Sequence, residues 1–368
     1  MELQTLTSYL KLLTCEGIGV LNARKLLEHV TDVSELFTVE WMKDFHGTSD
    51  VKRLKKSLKT FDQQVVDEEL KFIEANKISC VGILDSDYPK LLRECPDAPV
   101  LLFYKGDLSL LNNHSLAIVG TRKITPYGKE MIQQIVSELK PYNPTLVSGM
   151  AYGADVNVYH QAKQNNLACV AVMGTSFKKY YPKAHEKFYW DLEQNGLIVS
   201  EYAGFNTLAP ELFLRRNRII AGLSQATVVI ESPEKGGSLA TAFFANDYGR
   251  EVYAVPGKIT DEYSKGCLRL IQQNKAQLLF DLKNLCDDLN WNANTEIKEK
   301  PPVPKEINWN DFSVLQQTIL KSLQNAPLHI DELALQTQLE MPVLNAELMM
   351  LELNGTVIGL PGKIFKLK

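Results

Sequence analysis

Six short apolar runs, Ser115 to Val119, Thr145 to Ser148, Leu167 to Met173, Leu197 to Ser200, Thr227 to Glu231 and Glu251 to Val255, alternate with helical segments. Most are β-rich and bounded by Gly, Asn or Pro. Strands that are apolar throughout bury both faces, which predicts an α/β domain with a mainly parallel sheet between helices. The region with this pattern runs from Lys77 to about Leu285, with further strand and loop material expected between Ile78 and Leu101. Sites in such sheets gather at the carboxyl ends of the strands.

The first of the six runs leads into SLAIVGTRKITPYGKE, where Gly120-Thr121-Arg122-Lys123 breaks the strand and Thr125-Pro126 reads as N-cap and first helical residue. Amides at such a helix start carry partial positive charge and can hold a phosphate, and Arg122 and Lys123 add full charges. A Walker A loop is excluded, because Gly120 and Gly128 are separated by seven residues and Glu130 stands where the Ser or Thr belongs. A dinucleotide fingerprint is excluded too, since no second Gly follows two positions after Gly120.

The net charge of −4 hides a split. Residues 115–285 hold 19 Lys+Arg against 15 Asp+Glu, a net +4, so the rest of the chain carries −8. A polyanion partner is therefore sought in the middle. No segment approaches the ~20 apolar residues of a membrane span, and MELQTLTSYLKLL lacks the basic stretch and small-residue cleavage site of a secretory leader. The six cysteines show no C-x-x-C pair, which fits reduced thiols and predicts a cytoplasmic protein with no membrane partner. No H-x-x-x-H pair occurs, so no metal site is expected.

The flanks differ from the centre. Residues 1–76 read as a helical domain in which Gly17-Ile18-Gly19 and the Leu26-Leu27 pair resemble a helix-hairpin-helix, a shape that serves either DNA phosphate contact or plain packing. A charged amphipathic connecting helix follows between Ser49 and Asn76. Residues 291–308 form a polar, Pro-rich linker. Residues 309–368 follow a winged-helix outline of three helices (Phe312 to Leu323, Ile330 to Gln336, Pro342 to Asn354) and a two-stranded wing. From Asp311 to Lys368 this module has 4 Lys against 6 Asp+Glu. Its third helix carries Glu347 and Glu352 where a duplex reader needs cations, so protein binding or packing is the expected role.

Following the strands to their ends collects one set of polar residues. Ser148-Gly149 opens a turn ahead of Asp155, expected as a helix cap, and His160; Phe177-Lys178-Lys179-Tyr180-Tyr181 interleaves lysines with aromatics; Arg215, Arg216 and Arg218 share one helical turn; Gly236-Gly237-Ser238 opens another helix. Positive charge clustered at one sheet edge calls for an anion to offset it. Aromatics beside lysines suit base stacking, worth ~1–3 kcal/mol per base, so single-stranded nucleic acid fits better than bare phosphate.

The segments GTRKITPYG, SGMAYGAD, FLRRNRIIAGLS, GGSLATA, GREVYAVPG and SKGCLRLI, in this order, resemble the DNA-processing protein A (DprA, or Smf) family from about Ser79 to Leu279. The resemblance implies an extended Rossmann-like DNA-binding domain over 77–290, flanked by an optional N-terminal helical (helix-hairpin-helix or SAM-like) domain and a C-terminal winged helix. It implies a non-enzymatic protein without cofactors that binds single-stranded DNA, forms homodimers and loads the RecA recombinase during natural transformation. Carried over by position, the pocket comprises Gly120, Thr121, Arg122, Ser148, Gly149, Lys178, Lys179, Tyr180, Tyr181, Arg215, Arg218, Gly236, Gly237 and Ser238, with Lys123 and Phe177 beside them. Gly236 stands where the family usually has Ser, and Cys267-Leu268 replaces a more polar pair.

Other readings have specific tests. Nucleotide hydrolases of the lysine-decarboxylase-like type also place a Gly-Gly loop at a helix start, but they need a carboxylate on that helix. Leu239 to Ala245, LATAFFA, has none. A nucleotide-sensing module without a DNA role is the third reading. Ser148 lacks a G-x-S-x-G setting, so nucleophilic chemistry has no support.

Overall fold

The computed structural model describes residues 1–38, 41, 49–204, 209–293, 309, 312–324, 327–360 and 363–367. The chain divides into two units, 1–295 and 296–368, and most of the expected linker at 291–308 lies outside the described residues.

The first unit begins with helices α1 (Leu3–Thr14), α2 (Val20–Leu27), α3 (Ser49–Ser57) and α4 (Gln63–Ala75). Gly17, at φ +74, makes the turn between α1 and α2, a left-handed conformation that favours Gly. Two helices thus flank the Gly17 turn read from the sequence. These helices share one apolar core with the sheet that follows, from Leu6 and Tyr9 through to Trp291. A Cβ at Gly82 would overlap the Tyr9 ring, whose hydroxyl accepts the Leu84 N–H at 3.3 Å. Arg24 donates to the carbonyls of Arg93 and Cys95. The boundary drawn at 76/77 therefore separates sequence patterns, while the packing crosses it.

The sheet follows as β1 (Ser79–Gly82), helix α5 (Lys90–Arg93), β2 (Leu101–Gly106), β3 (Ser115–Val119), α6 (Pro126–Glu138), β4 (Thr145–Ser148), α7 (Ala154–Gln164), β5 (Cys169–Met173), α8 (Glu186–Asn195) and β6 (Leu197–Ser200). Next come α9 (Pro210–Gly222), β7 (Ala226–Val229), α10 (Gly237–Asp247), β8 (Glu251–Ala254), α11 (Lys265–Gln272), β9 (Gln277–Leu278) and α12 (Leu282–Asp288). Strand order is β1-β2-β6-β5-β4-β3-β7-β8-β9. Strands β3 to β9 run parallel, and β1 and β2 pair antiparallel at the β6 edge. Every residue of β3 to β7 is buried, the two-sided burial read from their composition. The chain leaves β3 toward β4 on one side and returns as β7 on the other. That reversal opens a crevice at the carboxyl end of β3, the usual place for a ligand.

The second unit contains α13 (Val314–Ser322), β10 (Leu328–His329), α14 (Ile330–Thr337), α15 (Met341–Leu353), β11 (Val357–Leu360) and β12 (Ile364–Leu367). Its sheet has the order β10-β12-β11, so the expected two-stranded wing has a short third strand beside it. Ile319, Leu333, Leu344, Leu348 and Leu351 form its core. Helix α15 exposes Met349, Met350 and Leu353 in place of cations.

Candidate functional site

The crevice beyond β3 and β7 is a cavity of about 490 Å³ lined by Gly120 to Lys123 on one side and Lys235 to Ser238 on the other. Phe213, Arg216 and Asn217 of α9 line it as well. The first loop is held from below by Glu231, buried just past the end of β7. The Glu231 carbonyl accepts the Thr121 N–H at 2.7 Å, and its carboxylate accepts from Thr125. Thr125 caps α6 by accepting the Gly128 N–H at 3.2 Å, as the Thr-Pro pair implies. The anion expected at the start of α6 is therefore supplied by the protein itself. That leaves the Arg122 and Lys123 side chains, both exposed, facing outward from a fixed loop.

The opposite wall is the start of α10. A Cβ at Gly237 would meet nothing within 4 Å, so the protein does not require Gly there, and a ligand can approach the backbone closely. Neither the Gly237 nor the Ser238 amide donates a hydrogen bond among the described residues. At Gly236 the situation reverses: a Cβ would overlap the Ser232 hydroxyl, which in turn accepts from Ser238 at 3.0 Å. The departure from Ser at Gly236 is thus matched by Ser232. Cys267 is fully buried, its Sγ turned to the Val229 and Ile230 carbonyls, and burial pushes its thiol up to about 12. It packs under β7 and offers nothing to a ligand.

Arg122, Lys123 and Lys235 form no ion pair among the described residues. The Arg122 guanidinium lies 5.8 Å from the centroid of Phe213, and Tyr181 packs against the same ring at 5.2 Å. Phe213 thus joins the Gly120 loop to the loop carrying exposed Lys178 and Lys179. Arg216 belongs to the arginine cluster read from the sequence, but the pocket carried over from the family by position includes neither it nor Phe213, and both line the cavity. The signal for Phe213 is its position three residues before Arg216 on the same helix.

Several expected contacts are directed inward instead. The Ser148 hydroxyl donates to the Ile118 carbonyl at 2.9 Å. Gly149 makes room for the Arg216 guanidinium, which a Cβ there would overlap, and its carbonyl accepts from Arg216 at 2.7 Å. Arg218 is buried, bonded to Glu201 at 2.5 Å and to the Asp97 carbonyl. Arg215 stays exposed but pairs with Glu201 at 3.2 Å. Phe177 is a core residue, and Tyr180 stacks on Tyr189 at 4.9 Å with its hydroxyl donating to Glu193. Of the three aromatics, only Tyr181 borders the cavity wall.

Asp155 is buried at the cavity floor and accepts the Ala151 N–H at 3.2 Å, while Gly153 holds the N-cap position of α7. Burial raises its carboxyl above the ordinary range, opposed chiefly by the Arg216 charge. Burial likewise lowers the Arg216 pKa. The floor is thus a compensated pair, and the uncompensated charge sits on the rim. Among the described residues no cluster of three or more His, Cys, Asp or Glu is arranged to hold a metal, and no helix is long and apolar enough to cross a membrane.

Comparison with known proteins gives a consistent result. Residues 79–290 match the family described as DNA recombination-mediator protein A, and residues 301–363 match the DprA winged helix domain. The DNA processing protein DprA of Streptococcus pneumoniae is 40% identical over 200 residues, 54% of this chain and 71% of that one. The crystal structure of DprA from Streptococcus pneumoniae aligns with a TM-score of 0.67 at 32% identity, covering 78% of this chain and 99% of that one. A structure of DNA processing protein A from Helicobacter pylori, described as revealing a unique single-stranded DNA binding mode, aligns with a TM-score of 0.53 at 28% identity, covering 59% and 98%.

Proposed function

The chain belongs to the DNA-processing protein A (DprA, or Smf) family, and from that premise we propose that it binds single-stranded DNA in the crevice beyond β3 and β7 and passes the strand to a RecA-type recombinase. The observation that carries this reading is the rim: Arg122, Lys123 and Lys235 without counter-ions, around a cavity with two undonated amides and the Phe213 ring on its wall. A phosphate satisfies the cations and amides, and a base satisfies the ring. A duplex offers the phosphate alone, because its base faces remain stacked on one another.

The handover to RecA, a role in taking up DNA during natural transformation, a homodimeric state and a cytoplasmic setting are part of the same proposal. The family's description as a recombination mediator supports the handover, and the other three follow from what the family resemblance implies. No catalytic step belongs to it. The competing hydrolase reading lacks a carboxylate near the loop, since Leu239 to Ala245 of α10 is acid-free and the helix's one acid, Asp247, is its last residue.

Arg122→Ala tests the assignment. Single-strand affinity falls while Tm changes little, because Arg122 is exposed and its one contact within the fold is with the Phe213 ring. The slope of log affinity against log salt shrinks by ~0.7 for each phosphate that is no longer neutralised. Unchanged affinity with an unchanged slope removes the cavity as the binding site.

A further inference from the structure

A ring ladder leaves the cavity at Ala151, one of its lining residues. Tyr152, next in the chain and 47% exposed, meets the His185 ring edge-on at 4.8 Å. His185 is buried and fixed by the hydrogen bond between its Nδ1 and the Met150 carbonyl at 2.9 Å. It contacts Phe188 at 5.6 Å, and Phe188 contacts His160 at 4.9 Å. The Lys187 ammonium lies 5.1 Å from the Phe188 centroid, and Lys183 is exposed nearby in sequence. Neither lysine forms an ion pair among the described residues; Asp191 is taken by Lys163 at 2.7 Å.

We propose that this ladder along α7 and α8 and the turns that lead into them, Tyr152 through His160 with Lys183 and Lys187, is a second contact for single-stranded DNA, continuing the strand away from the cavity. The inference rests on the cavity reading above. Half-exposed rings interleaved with uncompensated lysines are the chemistry of a single-strand track, where bases stack and phosphates neutralise. The cores of protein–protein interfaces are depleted in Lys, which disfavours a protein partner here. The pKa of His160 is held below its ordinary value first by burial and then by the positive charges of His185, Lys187 and Lys163, consistent with a local field that attracts anions.

The test compares oligothymidylates of about 4 and about 16 nucleotides, the span of common single-strand sites, on the full chain. The double variant Tyr152→Ser/Lys187→Gln binds the short strand like the parent and the long strand roughly five-fold or more weakly, the equivalent of one missing stack. Retained short-strand binding is the control for folding. Lys187→Gln alone lowers the salt slope by ~0.7 for the long strand only. Long-strand affinity and slope equal to the parent in both variants overturn the track. Failure of the cavity reading is distinguishable: Arg122→Ala would then leave short-strand binding intact.

Discussion

Thr125 and Glu231 lie 106 positions apart and are joined twice: the Glu231 carboxylate accepts the Thr125 N–H at 2.9 Å and its hydroxyl at 2.5 Å. A carboxylate at a helix N-terminus satisfies amides that otherwise attract an anion. The loop between these anchors is thereby fixed, and its two cations are left for something external.

Glu231→Gln should lower stability by ~1–3 kcal/mol, since one acceptor of a buried pair becomes a donor facing an N–H. Strand binding should weaken as well, because the Gly120 loop loses its frame. Thermal unfolding and a titration on the same preparation decide it. A lower Tm with full affinity would mean that loop geometry does not govern binding.

The neighbouring arginines should separate cleanly. Arg218→Ala removes a buried guanidinium and strips the largely covered Glu201 side chain of its closest partner, which should cost ~3–5 kcal/mol. Arg215→Ala removes an exposed pair worth ~0–1 kcal/mol. Denaturant melts of both variants check this, and equal costs would contradict the burial assigned to Arg218.

Among the aromatics, Phe213→Leu and Tyr181→Leu should reduce single-strand affinity with little change in Tm, because the π-face is removed while apolar volume is largely kept. Phe177→Leu and Tyr180→Leu should do the reverse, lowering Tm through packing and the missing Tyr180–Glu193 hydrogen bond. One missing stack, at ~1–3 kcal/mol, corresponds to roughly five-fold or more in affinity. If Phe177→Leu lowers affinity at an unchanged Tm, the core placement of that ring is the wrong account of it.

Removing residues 309–368 should leave single-strand affinity nearly unchanged. The module is net acidic, and its third helix presents Met349, Met350 and Leu353 where phosphate contacts would require cations. Loss of most of the binding on truncation would reopen a nucleic-acid role for the winged helix.

The sheet was readable because two-sided burial writes itself as unbroken apolar runs, and Ser115–Val119, Thr145–Ser148 and Leu197–Ser200 match the observed strands to the residue. The rim was readable at Arg122, Lys123 and Gly236 to Ser238, where Gly turns and charge coincide. What escaped was direction. Three arginines in one helical turn look alike in sequence, yet Arg216 reaches the cavity floor while Arg218 turns to Glu201. Phe177 and Tyr180 look like Tyr181 until the packing of Ala203 and Tyr189 is known. Glu231 looks like the end of a strand, and only the pairing of β3 with β7 sets it beneath the loop it holds.

The reversal of strand order around β3 also decides which pieces of this protein can act. One wall of the cavity is complete by Lys123, but the opposing wall waits for β7 and the first turn of α10, more than a hundred residues later. A chain ending before Glu231, whether still in synthesis or cut by a protease, carries the Arg122 loop without the carboxylate beneath it or the amides across from it. Such fragments keep their cations but have nothing to aim them with, so under the proposed function the ability to grip a strand reports that β7 and α10 have joined β3.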